Sequence, residues 1–230
     1  FTNTRNGINY DTSDPTLVQD DYFRYKEQIY ALYADYSREY SERFSMQLGL
    51  RMEHTRTTGI SEAKDTEDKH DYTRLFPTVY LLYSPTDGHA LNFSFSNRIS
   101  RPSQNMVNPF PFYQNKYTYA CGREDLKPSY TYNAELGYTL KNNFNVSAYY
   151  SYSDDVFFQV VDLDAETNVT SFLWENFMQT HAFRLNNSYT FRTKWLQTYA
   201  QHGVSYRRTT SSAATTSPEE KGWAYNASLR

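Results

Sequence analysis

"RFSMQLGLRMEH", residues 43–54, alternates with a period of two. Phe44, Met46, Leu48, Leu50 and Met52 fall on one face, and Ser45, Gln47, Gly49, Arg51 and Glu53 on the other. Successive side chains of a strand point to opposite faces, so this pattern reads as β-strand and not as helix. The same rhythm returns along the chain. Leu91, Phe93 and Phe95 oppose Asn92, Ser94 and Ser96. Tyr130, Tyr132, Ala134, Leu136, Tyr138 and Leu140 oppose Thr131, Asn133, Glu135, Gly137 and Thr139. Phe144, Val146, Ala148, Tyr150 and Tyr152 share a face, as do Phe183, Leu185, Tyr189 and Phe191, with Asn187 as the exception. About nine strands are predicted in all. Two segments are ambiguous. Val169 to Arg192 reads as one very long strand or as two broken near "WENFMQT", and Tyr30, Tyr33, Tyr36 and Tyr40 indicate either a bulge or a short helix.

The links between strands alternate in length. "REYSER", "SPTDGH", "KNN" and "RTKW" are tight, and Asp87-Gly88 suits a turn that needs positive φ. "GISEAKDTEDKHD", the run from Asn97 to Pro128, "DLDAETN" and "SSAATTSPEEK" are longer and polar. In an up-and-down antiparallel sheet successive links lie at opposite ends, so the two ends face different environments. Outer-membrane barrels have short turns on one side and longer loops on the other. Periodicity alone does not separate such a barrel from a soluble sandwich, because both alternate. Strand length favours the barrel: several strands run past the ~5–6 residues common in soluble sheets.

Composition agrees. The 230 residues include 23 Tyr, 15 Phe and 3 Trp, and tyrosine suits both pleated surfaces and membrane–water interfaces. With a mean hydropathy of -0.80, no apolar run reaches the ~18 residues of a membrane helix. No signal peptide is visible, and the ends at Phe1 and "ASLR" read as cut edges of a fragment. The net charge of -3 gives no sign of a nucleic-acid partner. Cys121 alone supports neither a disulfide framework nor a cysteine zinc site, and reads as a free thiol in a loop.

Residues Asn97 to Leu140 carry a denser signal. Arg98, Ser100, Arg101 and Pro102 are followed by Asn108, Pro109 and Phe110, then by a tyrosine-rich run, then by Gly122, Leu126, Lys127 and Pro128, and then by Glu135, Leu136 and Tyr138. This succession resembles the C-terminal barrel portion of TonB-dependent outer-membrane receptors, in the outer-membrane beta-barrel family abundant in Bacteroidetes. The sequence departs from that pattern at Arg123 and Glu124, where Asn-Pro is usual. The resemblance implies an all-β, up-and-down transmembrane barrel of about 22 strands with a plugged lumen, of which residues 1–230 would be one partial barrel domain without the plug or the final strands. It implies a nutrient receptor and not an enzyme. Its partners would be outer-membrane lipid and lipopolysaccharide, the protein's own plug domain, an inner-membrane energy-coupling complex acting through that plug, and a surface lipoprotein as a further candidate. The transported cargo is not legible.

No catalytic constellation is present. His54, His70, His89, His181 and His202 are scattered without metal-ligand spacing. Glu62, Asp65, Glu67, Asp68 and Asp71, like Asp154-Asp155, read as solvated acidic loops without a calcium-loop spacing. No metal or cofactor is expected, no phosphate-binding glycine loop or nucleophile elbow occurs, and the Asn-x-Ser/Thr triplets at Asn92, Asn145, Asn168, Asn186 and Asn226 are expected by chance. Arg98 and Arg101 either pair lipopolysaccharide phosphates, if they face out, or anchor the following loop, if they face in; the adjoining Pro102 and aromatics favour anchoring. Phe110, Phe112, Tyr113, Tyr117 and Tyr119 pack the loop on itself, the favoured reading, or stack on a sugar or peptide ligand. Three functions follow: an energised importer, a passive channel or assembly barrel without a plug, and a soluble glycan-binding sandwich.

Overall fold

Alternation of this kind can bury its apolar face only against a second layer or against lipid, and in the computed structural model of the chain no second layer covers that face among the described residues. The structure describes residues 2–8, 19–61, 65–213 and 218–230. Ten strands make one antiparallel sheet in chain order: β1 (Thr2–Ile8), β2 (Gln19–Ser41), β3 (Phe44–Ser61), β4 (Thr66–Tyr83), β5 (His89–Ser100), β8 (Ser129–Leu140), β9 (Phe144–Asp164), β10 (Val169–Arg192), β11 (Gln197–Ser211) and β12 (Glu219–Leu229). Between β5 and β8 lie a helical turn, α1 (Gln104–Val107), and a small hairpin of β6 (Phe112–Asn115) and β7 (Thr118–Cys121). The wall has one strand more than the nine expected. The extra strand is β1, whose "TNTRNGI" has no apolar alternation to announce it.

The apolar side chains face outward. Through the registers, Leu32 on β2 aligns with Met52, Leu50 with Pro77, Leu81 with Phe93, Phe93 with Leu136, Leu136 with Ala148, and Ala148 with Leu185. All these residues share one face. It is bare: Leu32 is 68% exposed, Leu136 54%, Leu50 47% and Phe183 41%. A soluble sandwich would bury this face, so that alternative is overturned. Aromatic residues bound the band. Tyr40, Phe44 and Tyr83 meet at the tight-turn end, and Tyr30 lies beside His54 at the other. Phe44 and His54 are about ten residues apart; at about 3.3 Å per residue and a tilt near 40°, they stand about 25 Å apart along the barrel axis, the height of a membrane barrel's apolar band.

Several links expected to be long are short, because the strands run on past the band. β3 and β4 pair as far as Ser61 and Thr66, and β9 and β10 as far as Asp164 and Val169. Continued pairing satisfies backbone groups that a loose loop would leave to water. The tight turns are as predicted: Gly88 has φ 77°, and Lys141 and Asn142 have φ 49° and 58°, the hairpin conformation in which both central residues are left-handed. β10 is a single strand, bulged against β9 between Asn176 and Thr180, with Asp155 at φ 52° on the partner side. The tyrosines of β2 are on a continuous strand, with no helix. Tyr33 points to the face opposite Tyr30 and Tyr36, and the register slips at Tyr40.

β5 and β8 have 12 residues each, while β9 and β10 have 21 and 24. The upper wall is therefore notched where β5 and β8 stop. Pro77 contributes to this. The β4–β5 ladder ends at Thr78/Ser96, one residue short of a proline that has no N–H to donate. Beyond it the seam opens. Tyr130, which by alternation belongs to the outer face, is buried against Arg74 of the inner face of β4: Arg74 Nε donates to its hydroxyl at 3.2 Å, and the guanidinium lies 4.8 Å from the ring centre. The top of the β5–β8 pair thus passes inside β4.

Candidate functional site

The segment 101–128 leaves that notch and folds inward. Phe23 of β2, Val107 and Leu126 form one buried cluster, with Tyr25, Met106, Phe157 of β9 and Trp174 of β10 packed against it. β2 and β10 are six places apart in the sheet order. At about 4.8 Å per strand, a flat sheet would hold them nearly 30 Å apart. One cluster touches both, so the sheet curls around the loop. The wall residues that meet the loop on β2–β4, namely Phe23, Tyr25, Glu27, Glu53, Thr55, Asp68, His70 and Tyr72, all belong to the face opposite the apolar band.

Arg101 crosses from the end of β5 to this inner wall. Its Nη2 donates to Glu53 Oε2 at 2.5 Å and to Thr55 Oγ1 at 3.2 Å, and its Nε lies 3.6 Å from Glu27 Oε1. Glu53 is 3% exposed at its side chain and also pairs with Arg51. A buried carboxylate without such partners would carry a severe desolvation cost. Tyr25 and Tyr72 stand beside Arg101 on the same inner wall. Arg98 is exposed, on the inner face by alternation. Ser100 closes the ladder opposite Ser129.

The rest of the motif holds the loop to itself and to β10. The Asn108 side chain accepts from Phe110 N at 3.1 Å, and both residues are buried. Cys121 Sγ donates to the Pro109 carbonyl at 3.1 Å, so the thiol packs inside the loop. Gly122 N donates to Asn108 O and Arg123 N to Met106 O, both at 2.8 Å. A Cβ on Gly122 would sit 2.4 Å from Asn108 O, so only glycine lets these two strands of loop approach. Arg123 and Glu124, where the motif departs from its pattern, make their own contacts. Arg123 pairs with Asp125 and reaches Glu175 of β10, and Glu124 accepts from Thr66 Oγ1 at 3.0 Å. Asn176, at the β10 bulge, accepts from Lys127 N and donates to Lys127 O. Pro102 and Pro128 line a cavity of about 100 Å³ between loop and wall, beside Arg101, His70, Asp68 and Glu124. Glu135 faces inward on β8, opposite Tyr149 and Ser94.

The loop aromatics divide. Phe110 is buried, and Tyr113 and Tyr119 pack ring to ring at 5.4 Å. Phe112 and Tyr117 project outward, 61% and 52% exposed. β7 pairs in parallel with Thr170–Leu173 of β10, above the point where β11 ends, so the hairpin extends the wall. Glu27, Glu53, Tyr72 and Asn176 gave no local signal in the sequence; their importance comes from what folds against them. Each of four histidines has a local partner: His54 with Thr73 and Asp71, His70 with Asp68 and the Glu124 carbonyl, His89 with Tyr138, His181 with Tyr150. In the acidic run, Glu62 lies outside the described residues; Asp65 has φ 50° in the β3–β4 turn, Glu67 pairs with Lys69 and Asp71 with Arg56.

An exposed apolar belt, aromatic borders and an inward-folded loop are the geometry of a lipid-embedded barrel wall. The model of the outer membrane protein beta-barrel family matches residues 1–230. The chain belongs to that family. Its place is the bacterial outer membrane. Among solved structures, this barrel segment is similar to the copper transporter OprC (TM-score 0.57, 13% identity), the siderophore receptor PirA of Pseudomonas aeruginosa (0.53, 11%) and the FrpB iron transporter of Neisseria meningitidis (0.50, 16%). Each likeness covers 91% of this chain but only 39%, 53% and 31%, respectively, of the other, so the chain spans about half of their length or less. At these identities the likeness is one of fold. No curated protein matches the sequence.

Proposed function

We propose that this barrel segment is part of the wall of a plugged, energised outer-membrane receptor that imports a nutrient. Family membership and a fold shared with a siderophore receptor, an iron transporter and a copper transporter support the reading. One observation carries it furthest. The loop 101–128 is pinned by Arg101 to the inner wall and packs across to β10, narrowing the outer mouth of the lumen. A mouth of this kind suits selection of a bound cargo better than free diffusion. Under this reading, residues 1–230 are one piece of a single barrel domain. The plug is its partner within the lumen, the inner-membrane energy-coupling complex acts through the plug, and a surface lipoprotein is a candidate partner at the outer face. Phe112 and Tyr117, the exposed aromatics of the loop, are our candidates for contact with cargo.

The test uses the full-length protein. Planar-bilayer recordings without steady conductance, together with nutrient uptake that stops when a protonophore collapses the inner-membrane gradient, are expected. A stable ohmic pore, with uptake indifferent to the protonophore, would identify a passive channel instead.

A further inference from the structure

Asn187, the polar exception on the outer face of β10, is paired across the sheet with His202 of β11. His202 is exposed, and it is the histidine that stands apart from the four with local partners. Among the described residues, neither its ring nor the Asn187 side chain has a hydrogen-bond or ion-pair partner. Both positions lie deep in the apolar band. Asn187 is midway along β10 between Phe183, which aligns with Tyr206 and through it with Trp223, and Phe191, beside the tight turn into β11. At about 3.3 Å per residue and a tilt near 40°, each of these aromatic levels is about 10 Å away along the barrel axis. The rows on either side are Leu185, Val204 and Tyr225, and Tyr189, Ala200 and Leu229. The residue across from His202 on β12 is Ala227. Asn187 and His202, with the small Ala200 and Ala227 and with Leu229, line a shallow groove of about 400 Å³.

We propose that this groove on β10–β12 is the contact through which two copies of the chain pair side by side in the membrane. A carboxamide and an imidazole left without partners in hydrocarbon are costly, so polar side chains at this depth face protein and not lipid. Acyl chains offer them no hydrogen bond. A second copy does. A carboxamide and a neutral imidazole each carry both a donor and an acceptor, so the two groups are complementary to each other. A two-fold axis along the membrane normal, passing between β10 and β11, sets Asn187 of each copy opposite His202 of the other. It also keeps the two at nearly the same depth, a match that any other partner would have to reproduce independently. Ala200 and Ala227 let the two walls approach closely, as small residues do between membrane helices. The inference rests on the lipid-facing wall and not on transport.

Full-length protein, labelled in separate batches with a donor and an acceptor dye through an affinity tag, is mixed in liposomes, and energy transfer between copies is followed as lipid is added. The parent is expected to dimerise. N187L/H202L, which makes the face uniformly apolar and suits a lipid-exposed wall, should raise the dissociation constant by roughly tenfold, since two weak cross-membrane hydrogen bonds are lost. A227W leaves the polar pair in place but fills the groove, and should weaken the dimer as well. Energy transfer no greater than random mixing in the parent would overturn the proposal. So would a parent that purifies one-to-one with a different membrane protein which N187L/H202L loses, or a double variant and an A227W variant that both dimerise as tightly as the parent.

Discussion

Arg101 and Glu53 are 48 residues apart in sequence, and their side chains meet at 2.5 Å on the inner wall, where Glu53 is nearly inaccessible. The contact ties the start of the long loop to the middle of β3. It closes across the seam that Pro77 opens between β4 and β5.

Arg101→Ala should therefore release the loop. Breaking a buried pair costs about 3–5 kcal/mol, and the lower end is expected because Arg51 still neutralises Glu53. Limited trypsin digestion of intact cells should cut R101A at Lys116 and leave the parent uncut. In a double-mutant cycle, R101A/E53Q should cost clearly less than the two single changes added together. Additive costs would mean that the two residues act separately.

Gly122→Ala places a methyl group within 2.7 Å of backbone atoms of both Asn108 and Met106. Backbone cannot swing aside as a side-chain tip can, so a cost of about 1–3 kcal/mol to loop packing is expected. Increased reactivity of Cys121 toward a membrane-impermeant maleimide reports it, since that thiol is packed beside Gly122 and Pro109. A Cys121 that stays equally unreactive would show that the approach relaxes freely.

The two faces should respond oppositely to a cation. Leu136→Lys puts an ammonium group into lipid near mid-band, at a cost of about 2–4 kcal/mol. Ser94→Lys, on the adjacent strand but the inner face, gains Glu135 as its cross-strand neighbour. Folded barrel in the outer membrane, read from heat-modifiable migration, should fall for L136K and hold for S94K. The reverse result would turn the sheet inside out.

Acid should loosen the end of the loop, where Arg123 and Asp125 pair. Arg123 holds the Asp125 carboxyl below its ordinary value of 3.8, first through its hydrogen bond and then through its charge, against an opposing effect of burial. A carboxylate with a depressed folded pKa contributes stability in full above the unfolded value, and that contribution fades as pH falls through the folded value. Asp125 is largely exposed, so the effect is small. Protection of the loop from pepsin, followed downward from about pH 5, should fade earlier in the parent than the barrel itself unfolds. In D125N this early loss should be absent, from a lower starting level.

Much of this was legible in residues. The alternation in residues 43–54 fixes which side chains share a face, because strand geometry has a period of two whatever lies on either side. The tight turns at Asp87-Gly88 and "KNN" were legible from their brevity, and the first also because left-handed backbone has few tenants. The length of β3, β4, β9 and β10 was not. Polar strand extensions and polar loops have the same composition, and only pairing across to a partner distinguishes them.

The sequence by itself determined an antiparallel sheet with one apolar face, the ends at which its turns are tight, and the motif by which its family is recognised. Tertiary structure alone decided which way Arg101 turns, that Glu53 and Asn176 receive the loop, and that the apolar face is the outer one. The reason is physical. Alternation records that two faces differ, but a face is inside or outside only through the curvature of the whole sheet, which is set by one cluster that joins residues as far apart as Phe23 and Trp174.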